Sequence, residues 1–251
     1  MPGPDYKTPP LVEAIFEAYF RKSPGWSELS YKRLEERLRA RFDGKRDVVQ
    51  SVGVEFQLGP EGQVIRQGRA PEVPRQQRIW TKDGGELFQF SPAMCAYNLL
   101  SRYTHFDEHA ADIESLCADY LAEAQPTATN FLGQRYINRV VLPEGTEDPA
   151  AYFEVYPKLP SAAVHRPFAL QLLAEKFADG EVMLNLAYQG EENGKALFFL
   201  DVYARSTKPL QPLAAEIRMW HERAHPVVHR TFEAALTAKS RDLFGLAKDP
   251  A

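Results

Sequence analysis

A chain of 251 residues, 44% hydrophobic and 25% charged, has the make-up of a folded globular protein and can bury a core without disulfides or metals. It is long enough for one large domain or two smaller ones. A net charge of −4 and a pI near 5.9 exclude a protein held to nucleic acid by its overall charge, because neutralising phosphates needs a dense supply of Lys and Arg.

Residues 1–10 are rich in proline and lack the apolar core of a secretory signal, so a flexible leader on a cytoplasmic protein is expected. No apolar run approaches bilayer length, so no membrane partner is expected. In residues 11–20, Val12, Ala14, Phe16, Ala18 and Phe20 alternate with Glu13 and Glu17, the pattern of a half-buried strand. After Ser23-Pro24-Gly25, Leu34, Leu38 and Phe42 recur at helical spacing until Asp43-Gly44 stops the run. Residues 48–58 read as a second strand through Val52, Val54 and Phe56, and residues 59–77 as a short strand around Val64 between exposed loops. Asp83-Gly84-Gly85 predicts a hairpin between 79–81 and 86–90, with a further strand over 93–100.

Thr104 and Asp107 have capping-box spacing, and Phe106, Ile113, Cys117, Tyr120 and Ala124 then form one apolar stripe. The opposite face of that helix is acidic, with Asp107, Glu108, Asp112, Glu114, Asp119 and Glu123. Gln125-Pro126-Thr127 marks a boundary between an N-terminal half, 11–125, and a C-terminal half, 126–246, before a tail, 247–251. The second half opens on residues 133–143, GQRYINRVVLP, a strand with Arg135, Ile137, Arg139 and Val141 on one face and Tyr136, Asn138, Val140 and Leu142 on the other.

Residues 143–149 read as an acidic loop and 150–156 as a short helix closed by Pro157. Residues 168–177, 182–188 and 197–203 are three strands joined by tight turns at Asp179-Gly180 and 190–194, hence antiparallel. Residues 210–244 predict one long helix, with Leu213, Ile217, Trp220, Ala224, Val228 and Ala235 on its stripe and Gly245 as its stop. Unbroken, it would span on the order of 50 Å, with a kink at Pro226. The shared order of elements predicts an α+β fold of two β-α-β(n)-α halves, with mostly antiparallel curved sheets packed against long helices. TATA-binding-protein-like and helix-grip-like folds have that design, and the analogy carries no function.

Four separated stretches are distinctive: Pro9-Pro10-Leu11-Val12-Glu13-Ala14; Arg135-Tyr136-Ile137-Asn138-Arg139; Leu200-Asp201-Val202; and the end, from His221 through Phe232-Glu233 to Lys239-Ser240-Arg241. In these the chain resembles the sporadically distributed bacterial proteins known as the TIGR04255 family, over most of its length. It departs from that pattern at Leu236-Thr237-Ala238-Lys239, where Ala238 replaces an acidic residue. The resemblance brings no catalytic residues with it.

Arg135, Arg139 and Asp201 are the leading polar candidates, with Tyr136 and Asn138 on the same strand as the arginines. A carboxylate between Phe199 and Tyr203 needs a partner, because burying it alone is costly. An arginine fork gripping a small anion is one outcome, and a structural ion pair between strands is the commoner one. His221, His225 and His229, at i, i+4 and i+8, are weak metal candidates, against the ordinary reading of exposed helical histidines.

Between Lys32 and Arg46, seven basic residues face three acidic ones. Arg33, Arg37 and Arg41, joined by Arg66 and Arg69, would make a basic face. The alternative is a solvated helix with Glu35 and Arg39 paired at i, i+4. Cys95 and Cys117 have no CxxC spacing and read as buried thiols. With no GxSxG, GxGxxG or GxxxxGK[ST], neither cofactor nor catalytic residues are indicated.

The expected function is a non-enzymatic binding module for a protein partner, in a bacterial defence or toxin-neutralising locus. The alternative is a small-anion or catalytic pocket between sheet and C-terminal helix, lined by Arg135, Arg139 and Asp201. Nucleic-acid binding through the basic face is third, and a homo-oligomer is compatible with all three.

Overall fold

The computed structural model describes residues 6–22, 24–49, 54–58, 64–69, 75–100, 103–157 and 167–246, with the backbone alone for 54–58 and 64–69. The chain is α+β. Its strands are β1 (Leu11–Phe20), β2 (Arg46–Val49), β3 (Val54–Leu58), β4 (Val64–Arg69), β5 (Gln76–Trp80), β6 (Glu86–Ser91), β7 (Met94–Leu99), β8 (Thr129–Val141), β9 (Phe168–Phe177), β10 (Gly180–Glu192) and β11 (Lys195–Ser206). Its helices are α1 (Glu28–Leu38), α2 (Phe106–Ala124), α3 (Ala214–Ala235) and the short α4 (Ala238–Leu243).

Nine strands form one sheet in the order β2-β5-β6-β7-β1-β8-β11-β10-β9, and β3 and β4 form a separate ribbon. Every strand pair is antiparallel. The sheet runs unbroken across the boundary at Gln125-Pro126-Thr127, because β1 pairs with β7 on one side and with β8 on the other. Tight turns fix the register locally. Asn193 (φ 52°) and Gly194 (φ 73°) form the two-residue link between β10 and β11, where both positions need positive φ and an Asn-Gly pair supplies it cheaply.

The three longer helices lie on one face of the sheet. The alternation in β1 sends Ala14, Phe16, Ala18 and Phe20 to that side, where Phe16 meets Phe106 of α2 and His221 of α3. Phe42, just past α1, packs on Phe88 of β6, and Tyr120 of α2 stacks on Phe20. From β8, β10 and β11 come Leu132, Val140, Leu184, Leu200 and Val202, buried with Ile217, Trp220 and Val228 of α3. Each such side chain, taken fully from water, contributes about 1.5–3 kcal/mol. Cys95 and Cys117 are free and buried in this layer.

Several expected elements differ. The single helix over 210–244 is two helices, because Leu236 adopts an extended conformation (φ −99°, ψ 137°) to bridge Phe153, and Thr237 then caps α4 through Ser240 N. Pro226 lies inside α3 without ending it. The expected helix over 150–156 is only a 3₁₀ turn, Pro149–Ala151, since the following residues are drawn into that bridge. The strand expected over 48–58 divides into β2, in the main sheet, and β3, in the ribbon; Val52 lies outside the described residues. Of the leader, residues 1–5 also lie outside them. From Tyr6 it is tied down: Tyr6 bridges Leu246, donates its hydroxyl proton to Glu233 at 2.8 Å, and sets its ring edge-on to Phe244.

Candidate functional site

The two faces of β8 divide the polar candidates. Tyr136 and Asn138 point under the helices, whereas Arg135 and Arg139 point to the opposite, open face. A period of two permits nothing else once Val140 and Leu142 are in the core.

On the open face, the register of β8 with β11 sets Ile137 beside Asp201 and Tyr203 beside Arg135. Arg135 donates from Nε to Asp201 Oδ1 at 2.9 Å and from Nη2 to Oδ2 at 2.7 Å, and Asn185 of β10 donates to Oδ2 at 3.1 Å. Hydrogen bonding to Asp201 holds the Arg135 pKa above its ordinary value. The Asp201 side chain is 10% exposed and that of Arg135 44%, so this is a half-wet bidentate pair with its fork closed. Arg139 does not join it; it pairs with Glu192 on β10. The expected pocket of Arg135, Arg139 and Asp201 under the C-terminal helix is therefore not formed, because these side chains leave the sheet on the side away from α3.

The same face carries residues that the sequence pattern left unremarked. Glu17 of β1 accepts from Tyr203 at 2.7 Å and from Tyr19 at 3.3 Å. Burial pushes the Glu17 pKa up, against the pull of those hydroxyls. Toward β2, Gln76, Gln89, Asn98 and Glu13 form a hydrogen-bonded row across four strands, and Arg78 makes a bidentate pair with Asp47.

Gly133 is the gap that seats Glu17: a Cβ there would stand 2.3 Å from Glu17 Oε1 and 2.7 Å from the Tyr203 hydroxyl. Gly133→Ala is expected to cost about 1–3 kcal/mol by overpacking. Denaturant unfolding checks this, with Glu17→Ala in the same chain recovering part of the loss. Strictly additive losses in the double variant would show that Glu17 is not what the methyl group meets.

Under the helices lies a buried polar chain. His221 Nδ1 is 3.3 Å from Gln134 Oε1, and Gln134 Nε2 donates to the Tyr136 hydroxyl at 2.9 Å. That hydroxyl also lies 2.7 Å from the Tyr103 hydroxyl and 2.9 Å from His225 Nδ1. Tyr136 has one proton to give, so the order runs from Tyr103 through Tyr136 to His225 or the reverse. Burial lowers the pKa of His221 to about 3 and that of His225 to about 4, the latter aided by His229, whose ring is 6.3 Å away. Burial raises Tyr136 and Tyr103. All these groups are neutral at pH 7, which suits a core lock better than acid–base exchange. Asn138, also buried, donates to Leu200 O at 3.0 Å and ties β8 to β11.

Instead of facing a metal or solvent, His221 and His225 face the sheet. Among the described residues, no three His, Cys, Asp or Glu side chains stand together as metal ligands would.

The basic face is partly spent inside the molecule. Arg37 of α1 reaches Glu123 at 3.0 Å and Asp119 at 3.8 Å, and Arg41, just past α1, binds Asp112 of α2 and Glu86 of β6, so α1 and the turn after it are clamped to the acidic side of α2. Arg39 pairs with Glu36, one residue nearer than the expected Glu35. Arg33 is exposed and has no ion pair among the described residues. The side chains of Arg66 and Arg69 lie outside the described residues.

Pattern alone could have paired Gln134 with Tyr136, two residues apart on one strand. Linking them to His221, His225 and Tyr103 needed the packing of α3 on β8. The chain matches no family model and no curated protein. Among the described residues, no helix is long and apolar enough to cross a membrane.

Proposed function

We propose that this protein is a non-enzymatic binding module that takes up an extended segment of a protein partner along the outer edge of β9. The supporting observation is the asymmetry of the two sheet edges. At one end, β2 is four residues long and set between charges, with Lys45, Arg46 and Asp47, the usual protection of an edge. At the other, β9 runs ten residues, pairs only with β10 among the described residues, and exposes Leu172 and Leu173, the latter at 55%. A long apolar edge offers unpaired backbone donors and acceptors to a further strand, with side-chain contacts on both faces.

Leu173→Lys is expected to abolish capture of the partner in a low-salt pull-down from cells carrying the neighbouring genes, while leaving the melting temperature unchanged. Equal capture by variant and parent, or no partner at low salt, overturns the reading.

The same proposal groups the chain with the TIGR04255 proteins, which the four motif stretches support, and assigns it to a defence or toxin-neutralising locus, for which the support is a sequence without catalytic motifs and with an uneven charge layout. It also takes the fold as a duplication of TATA-binding-protein-like or helix-grip-like type. In support, β1 beside the β7-β6-β5 meander mirrors β8 beside the β11-β10-β9 meander, and each meander leads into a long helix.

A further inference from the structure

Nine of the ten residues of β9 pair with β10, and the tenth, Ala174, is a bulge. Leu172 is the midpoint of those nine positions, with four before it, from Phe168 to Gln171, and four after it, from Leu173 to Phe177. Directly opposed residues of two strands share a face. Pairing with the buried Leu184, Leu186 and Tyr188 therefore sets Leu172, Leu170 and Phe168 on the helix side, and pairing with Val182 brings Glu175 there after the bulge. Phe177 packs on Trp220 of α3 and ends the same row.

This arrangement is self-complementary. Laid antiparallel on itself about a twofold axis through Leu172, β9 sets Leu172 against its own copy and Phe168 against Phe177 at both ends. Leu170 then meets Glu175 on the helix side, while Gln171 meets Leu173 and Ala169 meets Lys176 on the open face. No charge opposes a like charge, which would be destabilising, and Glu175 is already held by Arg230. An axis between two residues would oppose a helix-side residue to an open-face one, which a shared sheet forbids. An axis one position away leaves two positions of each strand unpaired. The exposed pair Leu172 and Leu173 stands at the centre, where a second copy covers it.

We propose that, without a partner segment, β9 pairs antiparallel with β9 of a second copy of this chain about a twofold axis at Leu172, joining two nine-stranded sheets into one. The inference rests on the reading of β9 as a receptive edge and adds its regulation: the copy holds the edge closed, and a partner strand displaces it. A twofold contact uses the same patch on both subunits, so pairing ends at the dimer. Two strand edges bury less than roughly 1,200 Å², so the dimer is expected at about 10–100 μM chain.

Sedimentation of the full chain across that range tests the mass, and cysteine cross-linking tests the register. In Leu172→Cys the two new thiols stand on opposed positions, about 4.5–5.5 Å apart between Cα atoms, within disulfide reach. Diamide, which takes up the two protons and two electrons, should link them into a covalent dimer. In Leu170→Cys they lie roughly 13 Å apart and should not link. Cys95 and Cys117 are buried and do not compete. Leu172→Lys sets two ammonium groups face to face and should weaken the dimer about tenfold or more, whereas Leu29→Lys, on an exposed site of α1, should leave it unchanged. A parent chain that stays monomeric overturns the proposal, as does a dimer indifferent to Leu172→Lys or cross-linked as readily through Leu170→Cys. A monomer that captures a partner through β9 overturns only the self-pairing, and a dimer that captures none overturns only the reading of the edge as a partner site.

Discussion

Between pH 6 and pH 5 the folded protein is expected to lose about 2–3 kcal/mol of stability through His221 and His225. Burial lowers their pKa values to about 3 and about 4, from an ordinary value of 6.5. Below pH 6.5 the unfolded chain therefore binds protons that the folded chain refuses. The contribution is complete above pH 6.5 and is lost as pH falls toward 4 and then 3, at up to about 1.4 kcal/mol per pH unit for each histidine. Glu17 acts in the opposite sense: burial raises its pKa, so its contribution is present below its ordinary value of 4.5 and fades as pH rises through the folded value. Urea unfolding at pH 7, 6 and 5 measures the slope, and His221→Gln should roughly halve it. A flat profile, or a slope unchanged in that variant, would show that His221 is not held neutral by burial.

Arg41→Ala should lower stability by about 2–4 kcal/mol, more than an ordinary surface substitution. Arg41 donates to Glu86 at 2.7 Å and 2.9 Å, to the Tyr97 hydroxyl at 2.5 Å and to Asp112 at 2.9 Å, with its guanidinium 5.1 Å from the Tyr97 ring centroid. Burial works against that charge, but the bonds to Asp112 and Glu86 prevail and hold its pKa up. Glu86 is nearly buried, and losing the guanidinium takes from its carboxylate two hydrogen bonds and the charge of Arg41. The figure stays below that of a fully buried pair because the Arg41 side chain is 30% exposed and that of Asp112 39%. Arg41→Lys should recover less than half, since an ammonium is a point donor and cannot span two carboxylates and a hydroxyl as the fork does. A loss below about 1 kcal/mol in denaturant unfolding would mark the cluster as an ordinary surface network.

The elements with a clean period were legible. Residues 168–177 are β9 without adjustment, the alternation of β1 separated its covered and open faces correctly, and that of β8 sorted its residues into two faces without marking the covered one. Boundaries set by distant contacts were not. Nothing local in Leu236-Thr237 opposes helix strongly enough to announce a break, yet a bridge to Phe153, more than 80 positions earlier, ends α3 there. The charges show the same limit. The basic run in and after α1 and the acidic face of α2 each invited an external partner, but Arg37 and Arg41 satisfy α2 within the molecule because α1 and α2 pack side by side on one sheet face.

Residues 133–143 show the division most directly. Their sequence determined a two-faced strand, with Arg135, Ile137, Arg139 and Val141 against Tyr136, Asn138, Val140 and Leu142, but apolar residues stand on both faces and do not mark which is buried. The sequence also determined that the Asp201 carboxylate, set between Phe199 and Tyr203, would need a partner, because burying it alone is costly. Only the tertiary structure decided which partners. Pairing with β11 gave Asp201 to Arg135, pairing with β10 beyond it left Glu192 for Arg139, and the packing of α3 brought His225 to Tyr136. Register and helix placement are global quantities, fixed by the burial of the whole core, and no local spacing encodes them.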